Sequence, residues 1–310
     1  MPLYCQLFFI NFFCIFSNTT YNRNPVEGKA CMKILKRNSV PFFILFLIHT
    51  FLLGFTFYRN KNRKDILVLL VSNMGFAYLF EYFVFNLFNS YVYKPKIVKK
   101  SFFDNVFGAV LSQAIFVPFT AVFLTLSKSG WVVKISGSIY FSLIELLFLR
   151  LGVYKHNWWK TIYTLILLPF YFKWSDYWYS CIGKKNQIVQ FASYFLLIMV
   201  TETNLFFVLA IMRKFRFGMG RYHSWTEHFI LSPLYSITLS VFTAITMKKQ
   251  NDVAAKLKVI VLAIGLNYFF QKIKLLKNKL RDIEYLLIRI VMVFVYGQYR
   301  EWVYGERDKG

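Results

Sequence analysis

Three carboxylates stand where a carboxylate is costly. Glu81 interrupts Leu79-Phe80 and Tyr82-Phe83, Glu145 lies in Ser-Leu-Ile-Glu-Leu-Leu, and Glu202 lies in Val-Thr-Glu-Thr-Asn-Leu. Each is inside a long apolar block, and ionisable groups in such blocks pair with one another or mark a pathway. Two chemistries follow. The carboxylates line a polar pathway and bind a cation, a proton or a substrate amine, or they are protonated or paired and hydrogen-bond neighbouring helices. Asn73, Gln113 and Asn204 add polar groups at similar positions. At about 100° per residue, Lys134, Ser138, Ser142 and Glu145 fall on one side of a helix, which should face other protein rather than lipid.

A second constellation is the basic stretch 213–228. It carries Arg213, Arg216 and Arg221, and it ends in His223, Glu227 and His228. In a helix His223 and Glu227 are i and i+4 and share a face, which suits proton transfer or half of a metal site. His228 is turned away from that face, and no H-E-x-x-H motif is present. The arginines with Gly218 and Gly220 suit a phosphate headgroup. The alternative is an ordinary juxtamembrane loop with an interfacial Trp225. His49 and His156 are isolated, and Asp104 and Asp176 read as loop or interface residues. The cysteines at 5, 14, 31 and 181 have neither disulfide nor zinc spacing. No metal or cofactor motif, P-loop, dinucleotide fingerprint or nucleophile elbow is present.

The elements that carry these residues follow from hydropathy. Of the 310 residues, 57% are hydrophobic, and they come in blocks about as long as a bilayer is thick. The net charge of +24 sits in short segments between the blocks. Lysines and arginines there meet anionic lipid headgroups, so the charge indicates a bilayer with anionic lipids and not nucleic acid. Eight blocks qualify as spans: 41–58, 66–91, 106–127, 131–150, 158–179, 187–212, 229–247 and 255–271. Helix is the simple solution, because lipid offers the backbone no hydrogen bonds. Pro118, Pro169 and Pro233 should kink their helices, with neighbours re-satisfying the freed carbonyls.

The ends read differently. Met32 opens a basic run before the first span, so residues 1–31 are expected to be a dispensable extension and 32–271 the bundle. Beyond it, Ile273, Leu276, Leu280, Ile283, Leu287 and Ile290 recur at helical spacing among lysines. That pattern predicts a basic amphipathic helix in a cytoplasmic tail, 272–310, lying in the interface or packed on a membrane protein partner. Eight spans with basic ends place both termini, with the loops 92–105 and 213–228, in the cytoplasm. No internal repeat is evident.

The stretches Tyr78-Leu-Phe-Glu-Tyr-Phe83, Ser112-Gln113 with Val117-Pro118, Asn157-Trp-Trp-Lys-Thr161, and Phe215-Arg-Phe-Gly218 through Glu227-His-Phe229 carry a resemblance. Over residues 66–247 the chain resembles multi-span membrane proteins of unassigned role from spore-forming Gram-positive bacteria. The resemblance implies a bacterial cell membrane and transfers no site residue. The expected fold is an all-α polytopic transmembrane bundle of about eight spans plus the C-terminal amphipathic helix. The expected function is transport or sensing through an intramembrane polar cluster. The alternatives are a lipid-modifying enzyme using 213–228 and an accessory membrane subunit.

Overall fold

A computed structural model describes residues 38–219, 223–249 and 252–305. The proposed extension at 1–31 and Arg221 lie outside the described residues. The fold is helical: α1 Val40–Arg59, α2 Arg63–Leu87, α3 Ser101–Leu126, α4 Trp131–Arg150, α5 Thr161–Gly183, α6 Gln187–Ile211, α7 Trp225–Lys249, α8 Val253–Lys272 and α9 Asp282–Tyr304. Among the described residues, four three-residue strands punctuate it: β1 Tyr91–Tyr93, β2 Tyr154–His156, β3 Phe215–Phe217 and β4 Leu276–Asn278. Seven of the described helices are long and apolar enough to cross a membrane; α5 and α9 are not among them.

The order of elements reveals a duplication that inspection of the sequence misses. Each half runs helix, strand, helix, helix, strand, helix: α2–α5 with β1 and β2, then α6–α9 with β3 and β4. Strand β1 pairs antiparallel with β2, and β3 with β4. The register is the same in both: Tyr91 opposes His156 as Phe215 opposes Asn278, and Tyr93 opposes Tyr154 as Phe217 opposes Leu276. Tyr91 to Phe215 is a step of 124 residues and Tyr154 to Leu276 one of 122. The flanking backbone bonds repeat as well. Lys94 N–H donates to the Val153 carbonyl as Gly218 N–H donates to Leu275, and Asn157 donates to Ser90 as Lys279 donates to Lys214.

Helix ends explain why the halves match so closely. Two residues before each strand the backbone turns left-handed, at Asn89, Gly152, Arg213 and Lys274. Bonds such as Lys214 N–H to Leu209 O and Leu275 N–H to Phe270 O then close the preceding helix in a Schellman cap. Helix starts match too. Asn62 precedes α2 and Asn186 precedes α6, each accepting from the first turn, while Asp252 caps α8 with a 2.8 Å bond from Ala255 N–H. Four helices per half return the chain to its starting side, so the halves share one orientation. The strands therefore gather at one end: Phe103 of α3 contacts Trp225 of α7 there, while at the other end Arg300 donates to the Lys248 carbonyl.

Helices α2, α3 and α6 form the buried centre, and α1, α4 and α8 the rim. Gly75 lets α2 approach α6 closely, since a Cβ there would lie 2.8 Å from Leu196 Cδ2. The rim is apolar outward: Phe51, Val132 and Val261 are exposed, as lipid-facing side chains would be.

The proposed amphipathic helix over 272–290 is corrected. Lys272 ends α8, 276–278 form β4, and the C-terminal helix begins at Asp282. Its exposed stripe is apolar (Ile283, Leu287, Val291, Phe294), and Arg289 points inward. The helical spacing in 273–290 joined residues of a strand to residues of a helix. Asp104 and Asp176 are also reassigned, to the first turn of α3 and the interior of α5.

Candidate functional site

Glu81 ends the α-helical part of α2, and the next turn, Tyr82–Leu87, is π-helical. Gln113 lies in a second π-helical turn, Ser112–Phe116 of α3. Such wide turns inside helices are often found at functional sites. Here they bring Gln113 Nε2 to 3.0 Å from Glu81 Oε2, which also accepts from the Tyr91 hydroxyl at 2.6 Å. Burial, and then the Glu81 charge, hold the Tyr91 hydroxyl well above the usual phenol range, so it serves as a donor. Glu81 Oε1 is buried with no hydrogen-bond partner.

That carboxylate lines a cavity of about 80 Å³ between α2, α3, α6 and α7. The cavity lies where the two halves meet. Leu79 and its counterpart Thr203, Ala109 and Pro233, and Gln113 and Ile237 all line it. Pro233 denies the Phe229 carbonyl its helical donor, and Asn86 Nδ2 supplies one at 3.0 Å, with Tyr82 donating to Ile230 O at 3.2 Å. Pro169 frees the Leu165 carbonyl in the same way, and Ser138 donates to it at 2.6 Å. Tyr78 donates to Asn204 Oδ1 at 2.9 Å at the cavity wall.

The three carboxylates do not converge. Glu202 is fully buried and bound to Arg289 Nη1 at 2.7 Å, with the Tyr296 hydroxyl on the same oxygen. The Arg289 guanidinium packs on the rings of Tyr285 and Phe206. Glu202 Oε2 and Arg289 Nε and Nη2 remain without partners. Glu145 sits in a third place, where it meets His156 Nε2 at 2.6 Å and accepts from Thr161 and Thr164 at the start of α5. In the second half Asn267 and Asn278 take these positions, 3.1 Å apart. The Glu145–His156 pair is therefore one version of a repeated helix-to-strand brace.

Lys134, Ser138 and Ser142 are buried on the inner side of α4. Lys134 meets Asp176 at 3.1 Å, and Thr125, Ser175 and Asn73 extend the polar chain inward with bonds of 2.9 and 3.0 Å. His49 caps no site: its Nδ1 meets the Leu45 carbonyl at 2.7 Å among Phe116, Tyr140 and Phe141.

The stretch 213–228 is split between elements. Arg213 is the left-handed cap residue and Arg216 lies in β3, its guanidinium 4.3 Å from the Trp225 ring centre. His223 precedes α7, so it does not share a helical face with Glu227. Ser224 and Glu227 instead form a reciprocal capping box, at 2.7 and 3.1 Å. His228 Nδ1 accepts from Phe217 N–H at 3.1 Å and joins strand to helix. Among the described residues no three histidine, cysteine or acidic side chains form a metal site.

No family model matches the chain, and no curated protein or solved structure is found similar to it. Fold and site nevertheless define a class: an all-α membrane-type bundle of two like-oriented repeats, with a carboxylate-lined cavity between them.

Proposed function

We propose that the protein is a multi-pass cell-membrane protein that binds a small cation at Glu81, in transport or sensing. The observation that carries this reading is Glu81, a buried carboxylate that lines the 80 Å³ cavity and whose Oε1 has no protein donor. One water needs only about 10–15 Å³ of such volume, so there is room for a small ion with part of its hydration. Parallel repeats with a site at their interface are an architecture of secondary transporters. Tyr91 and Gln113 occupy the other oxygen and leave Oε1 as the ligand. The strand end, with Arg213, Lys214, Arg216, Lys277 and Lys279, is the more basic and faces the cytoplasm on this reading, which puts the end of α9, at Arg300 beside Lys248, on the other side and departs from the cytoplasmic tail expected for 272–310.

The lipid-modifying alternative has lost its acid–base pair, because Glu227 serves a helix cap. The test is cation uptake into proteoliposomes by the full chain and by Glu81→Gln. Uptake lost in the variant supports transport, and saturable binding without uptake supports sensing. Uptake or binding equal in both proteins refutes the assignment of Glu81.

A further inference from the structure

The two sheets differ at their central pair. In the first sheet Val92 opposes Lys155; in the second Arg216 opposes Lys277. Like charges placed directly opposite weaken a ladder unless something lies between them. Arg216 Nε is buried and has no hydrogen-bond partner. The rest of the guanidinium is held over Trp225, so its direction is set before any ligand arrives.

The adjacent helix start differs in the complementary sense. In the first half Asp104 supplies a carboxylate, which accepts from Lys96, Ile97 and Val98 N–H groups at 2.8 Å each. Its counterpart in the second half is His228, whose ring nitrogen serves Phe217 instead. The first half thus places a carboxylate at this position of the helix start, where the second places an imidazole and carries its carboxylate one residue earlier, on Glu227. Glu227, the acid beside it, is tied to Ser224 in the cap. The positive field is felt by His223, which is held toward its neutral form first by burial and then by Lys277 and Arg216.

The geometry points to a phosphate-binding site on the outer face of the second sheet, between Arg216 and Lys277 and beside the amino end of α7. Arginine matches phosphate oxygens in a forked pair, lysine adds a point charge, and a helix start adds oriented N–H groups. A phospholipid headgroup and a soluble phosphate compound share this chemistry.

Thermal unfolding of the purified full chain in a neutral detergent distinguishes them. The probes are short-chain phosphatidylglycerol, short-chain phosphatidylcholine and inorganic phosphate. Phosphatidylglycerol should raise the midpoint saturably, and Arg216→Gln and Lys277→Gln should each weaken its apparent affinity about tenfold. Lys155→Gln, at the same place in the first sheet, should leave it unchanged. An equal rise with inorganic phosphate, lost in the same two variants, keeps the site and identifies a soluble phosphate as its source. The proposal is overturned if phosphatidylcholine acts as well as phosphatidylglycerol, or if no probe shifts the midpoint. It is overturned equally if Arg216→Gln and Lys277→Gln respond like the parent. Lys277 is an exposed strand residue, so its variant tests the site even if Arg216→Gln folds poorly.

Discussion

Gln113 donates to Glu81 across 3.0 Å, from one π-helical turn to the edge of another. The counterparts of these residues in the second half are Ile237 and Leu205, in helices that stay α-helical throughout. The duplicated fold has therefore departed from its repeat where a carboxylate meets the cavity. In the second half the buried charge lies elsewhere, on Glu202 and Arg289.

The Glu202–Arg289 pair joins α6 to α9 in a fully buried setting. Arg289→Met leaves an uncompensated carboxylate and should destabilise the protein by about 3–5 kcal/mol. The double variant Arg289→Met with Glu202→Gln should recover most of that loss. Denaturant unfolding in detergent checks both, and a double variant no better than Arg289→Met contradicts the pairing.

Asn86 and Pro233 should be energetically coupled through the Phe229 carbonyl. Asn86→Leu leaves that carbonyl unpaired and should cost about 1–3 kcal/mol. In a Pro233→Ala background the helix regains its own N–H donor, and the same Asn86 change should cost clearly less. Equal costs in both backgrounds would show that the bond does not act as described.

Strand β4 can be tested by cross-linking. Arg216 and Lys277 are register partners, and such residues lie within disulfide reach. The double variant Arg216→Cys with Lys277→Cys should oxidise to an intramolecular disulfide, read as a mobility shift reversed by reductant. Arg216→Cys with Lys279→Cys should oxidise far less. The reverse ranking would restore the continuous helix over 272–290.

His223 gives a pH dependence with a defined sign. Its folded pKa lies below the ordinary 6.5, because burial and the neighbouring Lys277 and Arg216 disfavour its charge. The unfolded chain then binds the proton more readily. The His223 contribution is complete above pH 6.5 and is lost as pH falls from there toward the folded value. The midpoint difference between the parent and His223→Gln should therefore be constant above neutrality. It should shift against the parent on acidification toward pH 5.5. A difference independent of pH contradicts a neutral buried ring.

The helical class was legible because blocks of apolar residues as long as a bilayer admit little else. Glu81, Glu202 and the inner side of α4 were legible for the same reason: an ionisable residue in an apolar run must find protein. The strands that follow α6 and α8 were not, because Arg213 and Lys274, rather than glycine, hold the left-handed positions before them. Without that punctuation β4 and α9 merged into one apparent amphipathic helix. The duplication was hidden because side chains in equivalent places differ: Glu145 and His156 against Asn267 and Asn278, Asp104 against His228. A trace survives in Tyr91-Val-Tyr93 and Phe215-Arg-Phe217, each four residues after its helix. The separation of the three carboxylates depends on which helices pack together, and their spacing in sequence carries no sign of it.

Cation binding at Glu81 tests the central claim most directly. The thermal midpoint of the purified full chain would be titrated with lithium, sodium, potassium and ammonium, at ionic strength held constant by a bulky organic cation. At least one of the four should raise the parent's midpoint saturably, and Glu81→Gln, which keeps shape and hydrogen bonding, should abolish that rise. A parent protein indifferent to all four, or a Gln variant that responds as the parent does, would contradict the account.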